Sequence, residues 1–168
     1  MKKTASFLTA LAIFLNLRVI NAAAENALSG NTLAEISDRI CAAIDKGEAA
    51  VDISDYGVVV EMRSDSLSPE YSAFLDMLQK TVGMYKFNFG EYYSESPVSA
   101  GPDFIPTENC NEYGVGDNRI TTVYISYDER YRNDDGTCDA ALLSADRQRI
   151  ENEYAAALSS VKDGMNDV

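Results

Sequence analysis

Cys41, Cys110 and Cys138 are the best nucleophiles this chain offers, and it contains no histidine to activate them. A thiol reacts as its thiolate and needs a neighbouring base or cation to become one. Without histidine, Ser-His-Asp, Cys-His and His-based zinc chemistry are closed to these residues. Three cysteines also fall short of a four-cysteine zinc site. Cys110 and Cys138 sit in polar loops on either side of a strand. An oxidising compartment would favour a disulfide between them, and the separation of their α-carbons decides whether one forms. Cys41 falls on the apolar stripe of a helix, where a reduced cysteine behaves as a small hydrophobe.

Carboxylates are the other reactive groups. Asp128 with Glu129, and Asp134 with Asp135, are pairs of the kind that support glycoside hydrolysis when one pKa is raised. Neighbours on a strand point to opposite faces, however, and acids in turns are normally solvated. The run "NDDGTCD" offers oxygen from Asn133, Asp134, Asp135 and Asp139, but its spacing is not that of an EF-hand. With Gly136 as the loop glycine, Tyr131 and Leu142 would fall on ligand positions. A polar turn with Gly136 at positive φ is the expectation. "YGVGDNR" carries Arg119 where a dinucleotide fingerprint needs its third glycine, and it leads into a strand. No cofactor or metal is implied, and the chain is expected not to be an enzyme. Aromatic side chains remain. Tyr85, Phe87 and Phe89 alternate as a core face, whereas Tyr92, Tyr93, Phe104 and Tyr113 are candidate ligand contacts able to stack on a sugar or a peptide.

These residues must be carried by elements that the hydrophobic pattern outlines. Leu33, Ile36, Ile40, Cys41 and Ile44 repeat at helical spacing, with Asn31 or Thr32 as cap and Gly47 as stop. "AAVDISDYGVVVEM" reads as two short extended pieces around a bend. Ser68 and Pro69 then open a second helix that places Tyr71, Phe74, Leu75 and Leu78 on one face and ends at Gly83. An aromatic strand is expected over 84–93, and a long surface loop over 94–118. Strand "RITTVYISYDERY" should put Ile120, Thr122, Tyr124 and Ser126 on one face and Thr121, Val123, Ile125 and Tyr127 on the other. A closing helix over 141–165 aligns Ile150, Tyr154, Ala157, Leu158, Val161 and Met165. The pattern predicts an α+β fold: a small antiparallel sheet of about three to four strands covered by three helices.

The first 24 residues stand apart. Lys2 and Lys3 precede the apolar run "FLTALAIFL", and "INAAA" supplies small residues for cleavage after Ala24, so 1–24 reads as a signal peptide and 25–168 as one domain. Asn16 and Arg18 interrupt the run before it reaches spanning length. The product is expected to be secreted, with no membrane contact after cleavage. Removing Lys2, Lys3 and Arg18 leaves 11 basic residues against 27 acidic ones, a charge of −16. Such a surface gains nothing from nucleic acid or anionic lipid.

The last helix reads straight through the ending "SSVKDGMNDV", with no glycine or proline stop behind it. That ending resembles the stretch that precedes the catalytic domain in secreted bacterial transglutaminase-like proteins. "AAVDISDYGVVVE", "YSAFLDMLQ" leading into "YKFNF", "ITTVYISY" and the long last helix follow in the order of those proteins' N-terminal regions, so the likeness covers about residues 30–168. It departs at "TVGMYKF", where the family shows a proline and an aromatic pair. The resemblance implies a non-catalytic accessory region that packs against or covers a downstream transglutaminase-like domain. That domain would hold the catalytic cysteine, histidine and aspartate, none of which maps onto this chain. The alternative expectation is an independent secreted module that binds a cell-wall glycan or peptide through its tyrosines.

Overall fold

The computed structural model describes residues 28–88 and 94–166. The expected signal peptide, and Tyr92 and Tyr93, lie outside them. The elements run α1 (Gly30–Lys46), β1 (Ala50–Asp52), a 3₁₀ turn (Ser54–Tyr56), β2 (Val59–Met62), α2 (Pro69–Gly83), β3 (Phe87–Asn88), β4 (Ser94–Glu95), β5 (Val98–Pro106), β6 (Gly116–Tyr127) and α3 (Ala140–Asn166). This is the expected α+β fold, with three helices and a four-stranded antiparallel sheet.

Strand β6 organises the sheet. β5 pairs along one of its edges, while β1 and β2 lie end to end along the other. The remaining strands, β3 and β4, form a separate two-stranded ribbon. α1 packs on β1 and α2, α2 on β2 and β5, and α3 on β3 and α1. Ile36, Ile40 and Ile44 of α1 and Phe74 and Leu78 of α2 therefore meet Val51, Ile53, Val58, Val60, Val123 and Ile125 in one core. Each fully buried aliphatic or aromatic side chain there contributes roughly 1.5–3 kcal/mol of transfer free energy.

Local chemistry sets the helix ends. Ser68 accepts from the Tyr71 amide at 3.1 Å, with Pro69 at the first helical position, as the sequence predicts. α1 starts earlier than expected: Ser29, not Asn31 or Thr32, is the cap, accepting from the Thr32 amide at 3.2 Å. At its other end Gly47 has φ +74°, its N–H donates to the Ala43 and Ile44 carbonyls, and its carbonyl accepts from the Cys138 amide at 2.8 Å. A Cβ on Gly47 would run into the Cys138 carbonyl oxygen. Gly47→Ala should therefore cost about 2 kcal/mol through left-handed strain and backbone displacement, read as a lowered urea midpoint at unchanged m-value.

Two sequence expectations about the sheet are corrected. Residues 94–118 are not one long loop, since nine of them form β5. The register shows why prolines fit there. Asp128 N–H donates to the Pro97 carbonyl and Thr107 N–H to the Asp117 carbonyl. The positions alternating with these, including Pro102 and Pro106, therefore turn their missing N–H away from β6, where no ladder bond is lost. They also blunt the free edge against a further strand.

The second correction concerns β6, which does not alternate evenly. Its partners in β5 jump from Asp103 opposite Thr122 to Phe104 opposite Ile120, leaving Thr121 as a bulge whose carbonyl accepts from the Ile53 amide at 2.8 Å. The extra residue reverses the parity, so Ile120 is buried together with Val123, Ile125 and Tyr127. Tyr124 is left on the opposite face.

Candidate functional site

Several of the residues singled out for covalent or metal chemistry are already engaged in structural contacts. Burial pushes the thiols of Cys41 and Cys138 up, away from the thiolate. All three cysteines are free, and the Cys110–Cys138 disulfide is not formed. Cys110 Sγ lies 3.8 Å from Asn118 Oδ1 near the start of β6, whereas Cys138 is held by Gly47 beside its far end. About six strand residues, roughly 20 Å, separate those ends, far beyond disulfide reach.

Among the acids, Asp128 accepts from the backbone N–H and the guanidinium of Arg130, which hold its carboxyl below the usual range. Asp135 accepts from the Thr137 amide and hydroxyl and is lowered likewise. Asp139 caps α3 by accepting from the Leu142 amide at 3.0 Å. Gly136 adopts φ +84°, as a polar turn requires. Among the described residues no group of three or more acids or cysteines is placed to hold a metal.

The candidate aromatics are dispersed. Phe104 faces the helices, half-buried, with its ring edge-on to Tyr71 at 5.5 Å between centroids. Tyr113 stands 82% exposed on the loop between β5 and β6. Tyr85 and Phe87 are buried, but Tyr85 lies in the turn after α2 rather than in the expected strand, of which Phe87–Asn88 forms β3; Phe89 lies outside the described residues.

Among the described residues, concave surface includes an open hollow of about 500 Å³ at the turn after β6, lined by Glu129, Arg132, Asn133, Asp134 and Gly136, and two further regions. Small clefts of about 210 and 160 Å³ flank Arg147 of α3. That guanidinium already sits 5.6 Å from the Tyr85 ring centroid and 3.2 Å from Glu151. The broader feature is on the face of the sheet that no described helix covers. There a groove of about 470 Å³ is lined by Val59, Ile105, Thr107, Asp117, Arg119 and Thr121. Ile105 is 46% exposed, and Arg119 makes no ion pair among the described residues. Further along the same face Tyr124 is 54% exposed, opposite Gly101 on β5 and Ala50 on β1. This face has an aromatic ring, hydroxyls and a few charges but no activated nucleophile, a composition suited to binding.

No family model, curated protein or solved structure matches this chain. Its role must therefore be argued from its own residues. Sequence reasoning placed Tyr124 with Ile120, and the bulge at Thr121 separates them. A glycine followed by proline within β5 was the available signal that this strand borders a face needing room.

Proposed function

We propose that this chain is a non-catalytic accessory domain that works by contact, docking on a partner domain through α3. The supporting observation is the apolar stripe of that helix. Leu143 and Ile150 are buried against the domain and Tyr154 is half-buried, but the stripe continues through Leu158 and Val161, which are 45% and 61% exposed. A helix that keeps an apolar stripe past the body of its domain needs a second apolar surface to cover it. The sequence resemblance makes that surface part of a transglutaminase-like cysteine-dependent domain, outside the cytoplasm, with this chain shaping or covering its cleft. Burial that disfavours the thiolates of Cys41 and Cys138, and the absence of histidine, suit a partner that carries the catalytic groups itself. Among the described residues no helix is long and apolar enough to cross a membrane.

The test is to express the full reading frame from its coding DNA beside the present chain and compare amide exchange over 151–162. The expected result is a continuation that carries histidine and cysteine and slows exchange there at least about tenfold, with Leu158→Asp restoring the fast rate. A frame without such a domain, or unchanged exchange, overturns the reading.

A further inference from the structure

We propose that the open face of the sheet is a glycan-binding platform centred on Tyr124, taking a neutral polysaccharide of flat, equatorially linked pyranose rings. This goes beyond the α3 contact, uses a different surface and does not depend on it.

Gly101 sits inside β5, where glycine costs strand stability through backbone entropy and lost packing. Neither usual reason for it applies. Its φ is not positive, and a Cβ built on it meets nothing within 4 Å. The same emptiness shows that the Tyr124 ring, directly opposite in register, is not folded down over it. On the other flank Tyr124 is opposite Ala50, itself exposed. An exposed aromatic ring therefore stands between two positions with almost no side chain, leaving a shallow recess on each side.

The surroundings suit sugar hydroxyls. Ser99 lies opposite Ser126, and Asp103 opposite Thr122, all in the rows that carry Gly101 and Tyr124. Neither the Asp103 carboxylate nor the Tyr124 hydroxyl has a hydrogen-bond partner among the described residues. A carboxylate can accept from two neighbouring hydroxyls, and the electron-rich face of the ring attracts the C–H face of a pyranose. The other occupants fit less well. A net charge of −13, with Asp52, Glu61 and Asp103 on this face, repels anionic polymers. An added peptide strand meets Pro102 and Pro106 on the free edge of β5. The groove at Val59, Ile105 and Arg119 continues the face along β6 and gives a linear chain room beyond the first ring.

The probes are cellohexaose and chitohexaose, titrated calorimetrically into the purified chain, with a heparin hexasaccharide for comparison. One of the two neutral oligosaccharides is expected to bind and heparin not to. Tyr124→Ala and Gly101→Val should each weaken binding about tenfold or more, while Tyr124→Phe stays within about threefold. A Cβ at Gly101 meets nothing within 4 Å and valine favours the strand, so loss of binding with an unchanged urea midpoint is assigned to the filled recess. Leu158→Asp on α3 should leave the glycan affinity unchanged. No heat from either neutral probe at millimolar concentration, preference for heparin, or binding indifferent to Tyr124→Ala and Gly101→Val would overturn the proposal.

Discussion

Phe74→Ala should lower the free energy of unfolding by about 4 kcal/mol, among the most damaging single truncations this domain can suffer. Phe74 is fully buried on α2, the helix that bridges β2, β5 and α1. A truncation there loosens three elements at once. The core it belongs to draws Leu78, Val60 and Ile120 from different elements, which cannot all move into the vacancy, so the cavity is retained and the cost stays near the upper range for aromatic truncation. Urea unfolding would show the midpoint falling with little change in slope. A loss below about 1.5 kcal/mol would mean that α2 can shift to fill the space, and that the helical layer is less firmly registered on the sheet than its burial indicates.

α2 also shows what the sequence makes legible. Serine and proline at 68 and 69 fix its start, and its apolar spacing is long enough to distinguish a helix from a strand. α1 was as clear in its middle but not at its tip. Ser29, Gly30, Asn31 and Thr32 form a run of cap-competent residues, and the choice among them falls to Ser29, whose carbonyl and hydroxyl accept from the Leu33 and Thr32 amides. The sequence of β5 reads as loop because glycine and three nearby prolines look like breakers. Prolines are tolerated on an edge strand when their N–H side faces outward, and that depends on a pairing register the sequence does not display.

The bulge at Thr121 was hidden for a related reason. "ITTVYIS" alternates well by itself, and the parity change arises only because β6 serves β5 on one edge and two collinear strands on the other. That one inserted residue also moved the candidate site. Aromatics chosen from sequence at 104 and 113 went to the inner face of the sheet and to a loop tip, whereas Tyr124, assigned to the face of Ile120, became the exposed ring on the open sheet. Contact chemistry is harder to read from sequence than catalysis, because a platform needs only a ring and an absence of neighbours. Absence becomes visible only when the strands are set side by side.

Raising the pH above 10 should unfold the domain steeply, and the tyrosines determine this. Tyr85, Tyr127 and Tyr131 are all buried, and burial raises each phenol pKa, that of Tyr131 to about 12 and the other two further. Their hydroxyls donate to oxygens that would repel a phenolate: Tyr85 to Asp45 at 2.9 Å, Tyr127 to the Glu48 carbonyl at 2.7 Å, and Tyr131 to Asp146 at 3.0 Å. The sign follows from proton binding. The folded state holds these protons more tightly than the unfolded one, so the stabilisation is complete below the unfolded value near 10 and is lost as pH rises toward the folded values. Between pH 10 and 12 each tyrosine contributes a slope of up to about 1.4 kcal/mol per pH unit, and three acting together exceed what a marginally stable domain withstands. Phenolate absorbance from Tyr85, Tyr127 and Tyr131 should therefore appear only with the loss of circular dichroism. Tyr131→Phe should be less stable at pH 7 by about 1 kcal/mol for the lost hydrogen bond to Asp146, yet lose stability less steeply above pH 10. Parallel alkaline curves for the two proteins would show that the Tyr131 phenol ionises freely in the folded state, and that the contact between α3 and the turn after β6 opens without global unfolding.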